Sequence, residues 1–331
     1  MTLQAEIAIV GAGLSGLALA VALRAEGRSV AVLEARDRPG GRVLSQDGYD
    51  LGPAWIWPHN RRLLELIARL GLETFPQYSA GRLVFENAAG SIARDHAFAT
   101  MGGALRVTGG MAMLTDRLAQ ELGTALHLRH PVSTLSQDAG CVSVIGPGFE
   151  LRADRAVLAI PPRLATGLGL ALPDVPTWMA AQAKLVAVYR TPFWRRFGLN
   201  GDAISHRGPL AEVHDATPGD GSCGALFGFA MPGAAKTADF QDRAIDQLAR
   251  LFGGEAQEPI AVNIKDWSDD PNTATAADLS PLTGHPAFRP LEPQGRVIIS
   301  GTETAPGEGG FLEGALEAAE MTFLQLERLC A

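Results

Sequence analysis

Hydrophobic positions along this chain follow two periods that alternate at short intervals. Ile7-Ala8-Ile9-Val10 carries no polar residue and predicts a strand buried on both faces. The apolar stretch that follows, ending near Gly27, predicts a helix, and residues 30–33 predict a second buried strand that closes on Glu34. An amphipathic helix is predicted from residue 61, with Asn60 at its N-cap. Residues 75–103 read as short strands and turns, with one strand at 82–85. A helix at 114–122 precedes strands at 126–128, 142–145 and 149–152. Ala156-Val157-Leu158-Ala159-Ile160 predicts a separate buried strand, stopped by Pro161 and Pro162. Residues 182–191 alternate as a strand and stop at Pro192. Glycine-punctuated strands and one helix, 241–252, fill residues 200–260, and a last buried strand near 296–300 leads through a glycine-rich loop into the final helix.

Between the first strand and its helix stands Gly11-Ala12-Gly13-Leu14-Ser15-Gly16. Gly11 permits a tight turn, Gly13 lets the backbone approach a pyrophosphate closely, and Gly16 lets helix and strand pack. The helix N-terminus then presents free N–H groups and a positive dipole end to phosphates. Glu34 ends the next strand, where a carboxylate accepts hydrogen bonds from an adenosine ribose and repels a 2′-phosphate. Strand, glycine turn, helix, strand and acid together point to a dinucleotide, NAD or FAD rather than NADP. Ala35-Arg36-Asp37-Arg38-Pro39-Gly40-Gly41-Arg42 follows, a glycine pair among guanidiniums. The planar fork of arginine suits diphosphate oxygens; a solvated loop is the alternative for Arg36 and Arg38.

Composition narrows the class. At 331 residues and 47% hydrophobic the chain predicts two domains and excludes disorder. A net charge of −8 argues against nucleic acid as a partner. Cys141, Cys223 and Cys330 are far apart and lack metal-ligand spacing, so they read as reduced thiols of a cytoplasmic protein with no metal site. Residues 7–23 are uncharged, but no basic segment precedes them and glycines interrupt them, unlike a signal peptide. Nothing else approaches a membrane span, and Leu329-Cys330-Ala331 carries no hydrophobic tail, so a soluble protein without a membrane partner is expected.

On the glycine turn and on Glu34, Arg36, Gly40, Gly41 and Arg42, the sequence resembles the flavin-dependent amine oxidases, which include monoamine, polyamine and L-amino-acid oxidases. The resemblance implies FAD as cofactor, held by Gly11, Gly13, Leu14, Ser15, Gly16, Glu34, Ala35, Arg36, Gly41 and Arg42. Asp50-Leu51-Gly52-Pro53-Ala54-Trp55 is similar to the segment that runs along the flavin ring in that family, which adds Gly52, Pro53, Ala54 and Trp55. Pro53 departs from a glycine there, and Trp57 from a small residue. Trp55 and Trp57 wall the flavin or substrate cavity, or else support a loop. The resemblance lapses after residue 75, where the family carries a longer, largely helical insertion, and returns at Thr108-Gly109-Gly110-Met111. Val132 is implied on the adenine side.

Lys184, before Thr191-Pro192-Phe193-Trp194, matches the family lysine that holds a water against flavin N5, and burial there would depress its pKa. Trp267, leading Ser268-Asp269-Asp270-Pro271-Asn272, matches a tryptophan near the flavin. Ala276 stands where monoamine oxidases carry a cysteine linked to FAD, so the resemblance implies non-covalent FAD. Ala277 stands at one aromatic wall of their amine cage and Phe311 at the other. Gly301, Thr302 and Glu303 would line the ribityl–pyrophosphate region, and N–H groups near Leu312 would face flavin N1/O2. His59 reads as structural or exposed, and His206 and His214 receive no chemistry.

The fold implied is α/β: a Rossmann-like FAD-binding domain of the p-hydroxybenzoate-hydroxylase/glutathione-reductase type, assembled from residues 1–75, 104–163 and 270–331. A smaller α+β substrate domain, 76–103 and 164–269, interleaves with it and contains an antiparallel sheet. The implied activity is oxidation of a small amine, with O2 as final acceptor and H2O2 as product; Lys184 and Phe311 are its side chains of chemistry. Two other readings stay open: a desaturase or protoporphyrinogen-oxidase-like enzyme acting on C–C bonds, and a flavoprotein subunit completed by a partner.

Overall fold

The computed structural model describes residues 2–280, 282 and 284–330. Ile7 to Val10 end the strand Thr2–Val10, and all four are buried. This strand lies parallel to Val30–Leu33 on one side and to Phe149–Leu158 on the other. Alternate side chains go to opposite faces: Ile7 and Ile9 pack with Leu17, Leu23 and Val32, while Ala8 and Val10 pack with Ala31, Leu33 and Leu151. Both faces are covered, which is why the run is unbroken apolar. Leu126–His127 and Val297–Ile299 extend the parallel set, and Thr134–Gln137 and Val142–Gly146 add an antiparallel edge.

Two short strands predicted at 149–152 and 156–160 are one ten-residue strand, Phe149–Leu158. Its near half pairs antiparallel with Val142–Gly146 and its far half parallel with Val297–Ile299, while Thr2–Val10 spans both halves. Asp154 and Arg155, which break the apolar pattern, lie at that changeover.

A second seven-stranded sheet runs Ala261–Asp266, Ala183–Tyr189, Gly224–Ala230, Leu210–Asp215, Leu199–Ser205, Arg82–Glu86, Ile92–His96. Its pairings are antiparallel except that Leu199–Ser205 and Arg82–Glu86 run parallel. Leu185, Ala187 and Tyr189 face a core shared with helix Phe240–Phe252, while Val186 and Val188 face Leu51 and Phe227. Lys184 shares the second of these faces by the two-residue period, and its cross-strand partner is Phe229. The expected α/β fold with an antiparallel-rich second sheet is present.

Asn60 precedes helix Arg61–Arg69 but does not cap it. Its Oδ1 accepts the N–H of Trp57 at 2.7 Å. The capping role falls to Glu313, on the helix Leu312–Cys330, whose carboxylate accepts the N–H groups of Arg62 and Leu63, each at 3.0 Å. Cys141 and Cys223 are free thiols; the side chain of Cys330 lies outside the described residues. Among the described residues no helix is long and apolar enough to cross a membrane.

Candidate functional site

The three turn glycines do three different jobs. Gly11 has φ +103°, a conformation costly for side-chain-bearing residues, and a Cβ there would stand 2.6 Å from the Ala159 carbonyl oxygen. A Cβ on Gly16 would stand 2.1 Å from the Gly11 carbonyl oxygen, so helix Leu14–Ala25 can lie this close to the strand only with glycine. Gly13 has open space on its Cβ side. It is the N-cap of that helix, makes no side-chain cap, and the first turn carries no acid. The helix therefore opens toward the space beside Gly13 as an anion site. Gly40 braces the turn, its N–H donating to Ala12 C=O at 2.7 Å.

That space is part of a cavity of about 580 Å³. Gly13, Leu14, Ser15 and Arg42 line one region, together with Gly301, Thr302, Glu303 and Leu312. Gly52, Pro53, Ala54, Trp55, Lys184, Trp267 and Phe311 line it too, so residues from distant parts of the chain share one chamber. Gly11, Gly16, Glu34, Ala35, Arg36, Gly41 and Val132 do not line it. Gly11 and Gly16 shape the turn, and Gly41 packs on Gly13. Glu34, nearly fully buried, accepts the N–H groups of Ala12 and Arg36, each at 2.9 Å. Arg36 spends its guanidinium on Asp270 at 2.6 Å and Thr273 at 2.9 Å. Arg38 is not solvated either: it donates to the carbonyls of Pro39, Gly41 and Val43 and so clamps the loop. Val132 is half-buried against the core beneath the antiparallel edge.

Lys184 is the buried cation of the chamber. Its Nζ donates to Gly52 C=O at 2.5 Å and sits 5.4 Å from the centre of the Phe229 ring. Burial pulls its ammonium down to about 8, opposed by Asp50. Burial pushes the Asp50 carboxyl up to about 6, against the bond from Ser45 and the charges of Arg106 and Lys184. Three consecutive residues thus serve the site: Asp50 faces these charges, Leu51 C=O accepts Trp267 Nε1 at 2.8 Å, and Gly52 C=O accepts Lys184. Arg42 Nη2 lies 2.7 Å from Glu303 Oε1, and Arg42 Nη1 donates to Trp178 C=O at 3.2 Å. The Arg42 contact is not directed as a hydrogen bond, so buried Glu303 Oε1 keeps an acceptor without a donor.

Sequence reasoning missed part of the wall. Trp178, Met179, Met101 and Phe229 all line the chamber. Trp178 meets Phe311 at 6.3 Å, and His285 stacks on Phe311 at 5.3 Å. Ala276 and Ala277 are exposed and stand outside the lining. Trp178 falls in an aperiodic stretch upstream of the Lys184 strand, so only its residue type signalled it. Trp57 and His59 line the chamber as well, His59 exposed and 3.3 Å from Glu308.

A parallel sheet with a glycine turn at a strand end, opening on a chamber with a buried lysine and aromatic walls, defines a dinucleotide-dependent oxidoreductase. The chain belongs to the family described as flavin containing amine oxidoreductase, whose model matches residues 14–89 and 83–322. It is 27% identical over 435 aligned residues to a probable flavin-containing monoamine oxidase A of Dictyostelium discoideum, covering 95% of each chain. It is 26% identical to the putrescine oxidase of Kocuria rosea, covering 96% of this chain and 95% of that protein. An alignment of 435 positions against 331 residues means that the relative carries segments this chain lacks. Among solved structures, wild-type putrescine oxidase bound to putrescine superposes with a TM-score of 0.83 at 25% identity, covering 99% of this chain and 100% of that one. Cyclohexylamine oxidase from Brevibacterium oxydans IH-35A, at 21% identity and TM-score 0.84 over 99% and 100% of the chains, shares the fold.

The cofactor of this FAD-dependent oxidoreductase fits the residues present. The open side of Gly13, the uncapped helix and Arg42 suit a pyrophosphate, and Glu303 Oε1, ion-paired with Arg42 but accepting no directed hydrogen bond, suits a hydroxyl donor. Glu34→Ala removes the acceptor that orders Ala12 and Arg36. Loss of a charge-assisted bond is worth about 1.5–3 kcal/mol, so FAD affinity is expected to fall roughly tenfold or more. Unchanged affinity in a fluorescence titration would count against a role for Glu34 in shaping the turn that receives FAD.

Proposed function

We propose that this enzyme oxidises a small amine at the carbon beside nitrogen and passes the electrons to O2. The observation that carries the reading is the single chamber joining the glycine turn to buried Lys184, Trp267 and an aromatic wall. The chemistry that bound FAD supplies is acceptance of a hydride equivalent at N5 and return of two electrons to O2 as H2O2. Gly13, the helix N-terminus and Arg42 hold the diphosphate, and Glu303 the ribityl–pyrophosphate region. Trp55, Phe229 and Trp178 exclude water and, with Phe311, which is itself exposed, orient the amine in its neutral form. Lys184, tethered to Gly52, holds a water at the ring. Residues 1–75, 104–163 and 270–331 form the cofactor domain in this reading, and 76–103 with 164–269 the substrate domain. With Ala276 outside the chamber and no cysteine among the described residues that line it, FAD is bound non-covalently in this reading, so acid precipitation is expected to leave the yellow colour in the supernatant; colour in the pellet overturns this.

The relatives' names, putrescine oxidase and monoamine oxidase, support an amine substrate. The test is anaerobic bleaching of the flavin against monoamines, diamines, polyamines and amino acids. Bleaching by at least one amine, with stoichiometric H2O2 on admitting air, is expected. A flavin that no amine bleaches, but a C–C desaturation substrate does, overturns the proposal.

A further inference from the structure

His214 is fully buried, and nothing proposed above uses it. It lies on the strand Leu210–Asp215, opposite Phe227. Its ring meets Trp55 edge-on at 5.1 Å between centroids and Phe229 at 5.9 Å, and both of these wall the chamber. On the other side, Nδ1 lies 2.9 Å from Thr100 Oγ1 and 3.3 Å from Asp202 Oδ1. Nε2 faces Glu212 Oε2 at 3.5 Å, an ion-pair distance without a directed hydrogen bond.

Thr100 belongs to the connection 97–104, between the strands Ile92–His96 and Leu105–Val107. Its next residue, Met101, lines the chamber. The connection has little to stiffen it from within: two turn bonds, Gly102 N–H to Ala99 C=O at 3.4 Å and Ala104 N–H to Met101 C=O at 3.2 Å. The second sheet holds it instead. Asn200 Nδ2 donates to Phe98 C=O at 2.9 Å, Thr100 N–H donates to Asp202 Oδ2 at 2.8 Å, and the Thr100 hydroxyl bonds His214. A fully buried imidazole is costly unless its polar partners are met; here the connection and the strand Leu199–Ser205 meet Nδ1, while Nε2 has only the charge of Glu212.

We propose that His214 is a positioning residue: through Thr100 and Asp202 it seats the connection 97–104, and by backing Trp55 and Phe229 it sets the width of the substrate end of the chamber. The charged groups facing it are Asp202 and Glu212. Burial works against the imidazolium, but these two carboxylates outweigh it and raise the pKa above the ordinary histidine value. The charged ring carries an N–H at both nitrogens, and a carboxylate stands near each, Asp202 at Nδ1 and Glu212 at Nε2. That the chamber receives an amine rests on the function proposed above; the seating of 97–104 does not.

The experiment compares Thr100→Val, Thr100→Ser and His214→Leu as FAD-loaded enzymes. Amide hydrogen exchange across 97–103 is expected to accelerate at least tenfold in Thr100→Val and His214→Leu, and to stay at the wild-type rate in Thr100→Ser, which keeps the hydroxyl. With benzylamine as probe, KM is expected to rise at least fivefold in Thr100→Val with kcat within twofold, and Thr100→Ser restores it. Exchange unchanged in Thr100→Val overturns the proposal, as does faster exchange with KM unchanged. If benzylamine bleaches no flavin in the wild type, the substrate reading is at fault, and the exchange measurement alone decides for or against the seating role.

Discussion

Lys184→Met is expected to slow flavin reduction by a good amine on the order of 10²-fold, the low end of what a positioned proton-handling group contributes, while making the protein more stable at neutral pH. The two effects share one cause. Lys184 is fully surrounded, and burial lowers its pKa from 10.5 to about 8. In the unfolded chain the ammonium titrates at its ordinary value, so between pH 8 and 10.5 the unfolded state binds more protons. Stability therefore rises with pH through that window, and below it the full cost is present, of order 3 kcal/mol. Methionine has nearly the same length, refills the space and removes that cost. Against it stands the Gly52 carbonyl, which loses its 2.5 Å donor at about 1–2 kcal/mol. The net expectation is a gain of about 1–2 kcal/mol at pH 7 that shrinks as pH approaches 10. Anaerobic stopped-flow reduction and urea midpoints across pH measure both. An unchanged reduction rate refutes the water-holding role, and a variant less stable at pH 7 refutes the burial cost.

What could be read from the sequence was whatever is coded locally. The glycine turn, the first two buried parallel runs and the strand that begins before Lys184 are all properties of short segments, and each stands where its pattern placed it, whereas Lys184 itself was marked by resemblance alone. Partners far along the chain were invisible. Asn60 looked like a helix cap because the local signal was right, yet the acceptor is Glu313, some 250 residues away. Arg36 looked like a diphosphate ligand, but Asp270 claims its guanidinium. The break at Asp154 and Arg155 hid a continuous strand because a strand's neighbours, not its own pattern, decide where it ends. The wall at Trp178 had no periodic signature, and His214 was one histidine among seven until the sheet register set it behind Trp55.

Gly13→Ala and Gly16→Ala each add one methyl, and they are expected to fail in opposite ways. At Gly16 the new carbon would lie 2.1 Å from the Gly11 carbonyl oxygen and 3.1 Å from the Ala159 side chain. Neither neighbour is a flexible side-chain end, so helix Leu14–Ala25 must move off the sheet, and a loss of about 3 kcal/mol of stability is expected with or without FAD. At Gly13 nothing stands within 4 Å of the new carbon, and φ −71° with ψ 176° suits any residue. The cofactor-free protein should therefore stay within about 1 kcal/mol of wild type, the stiffer unfolded chain being offset by alanine's poorer fit as the N-cap of the helix. The methyl instead projects where the backbone must approach the pyrophosphate. An overlap costing about 1–3 kcal/mol there weakens FAD roughly 10- to 100-fold. Thermal unfolding of the cofactor-free proteins and fluorescence titration with FAD separate the two. Wild-type FAD affinity in Gly13→Ala would remove the close-approach role of that glycine, and wild-type stability in Gly16→Ala would remove the packing role of the other.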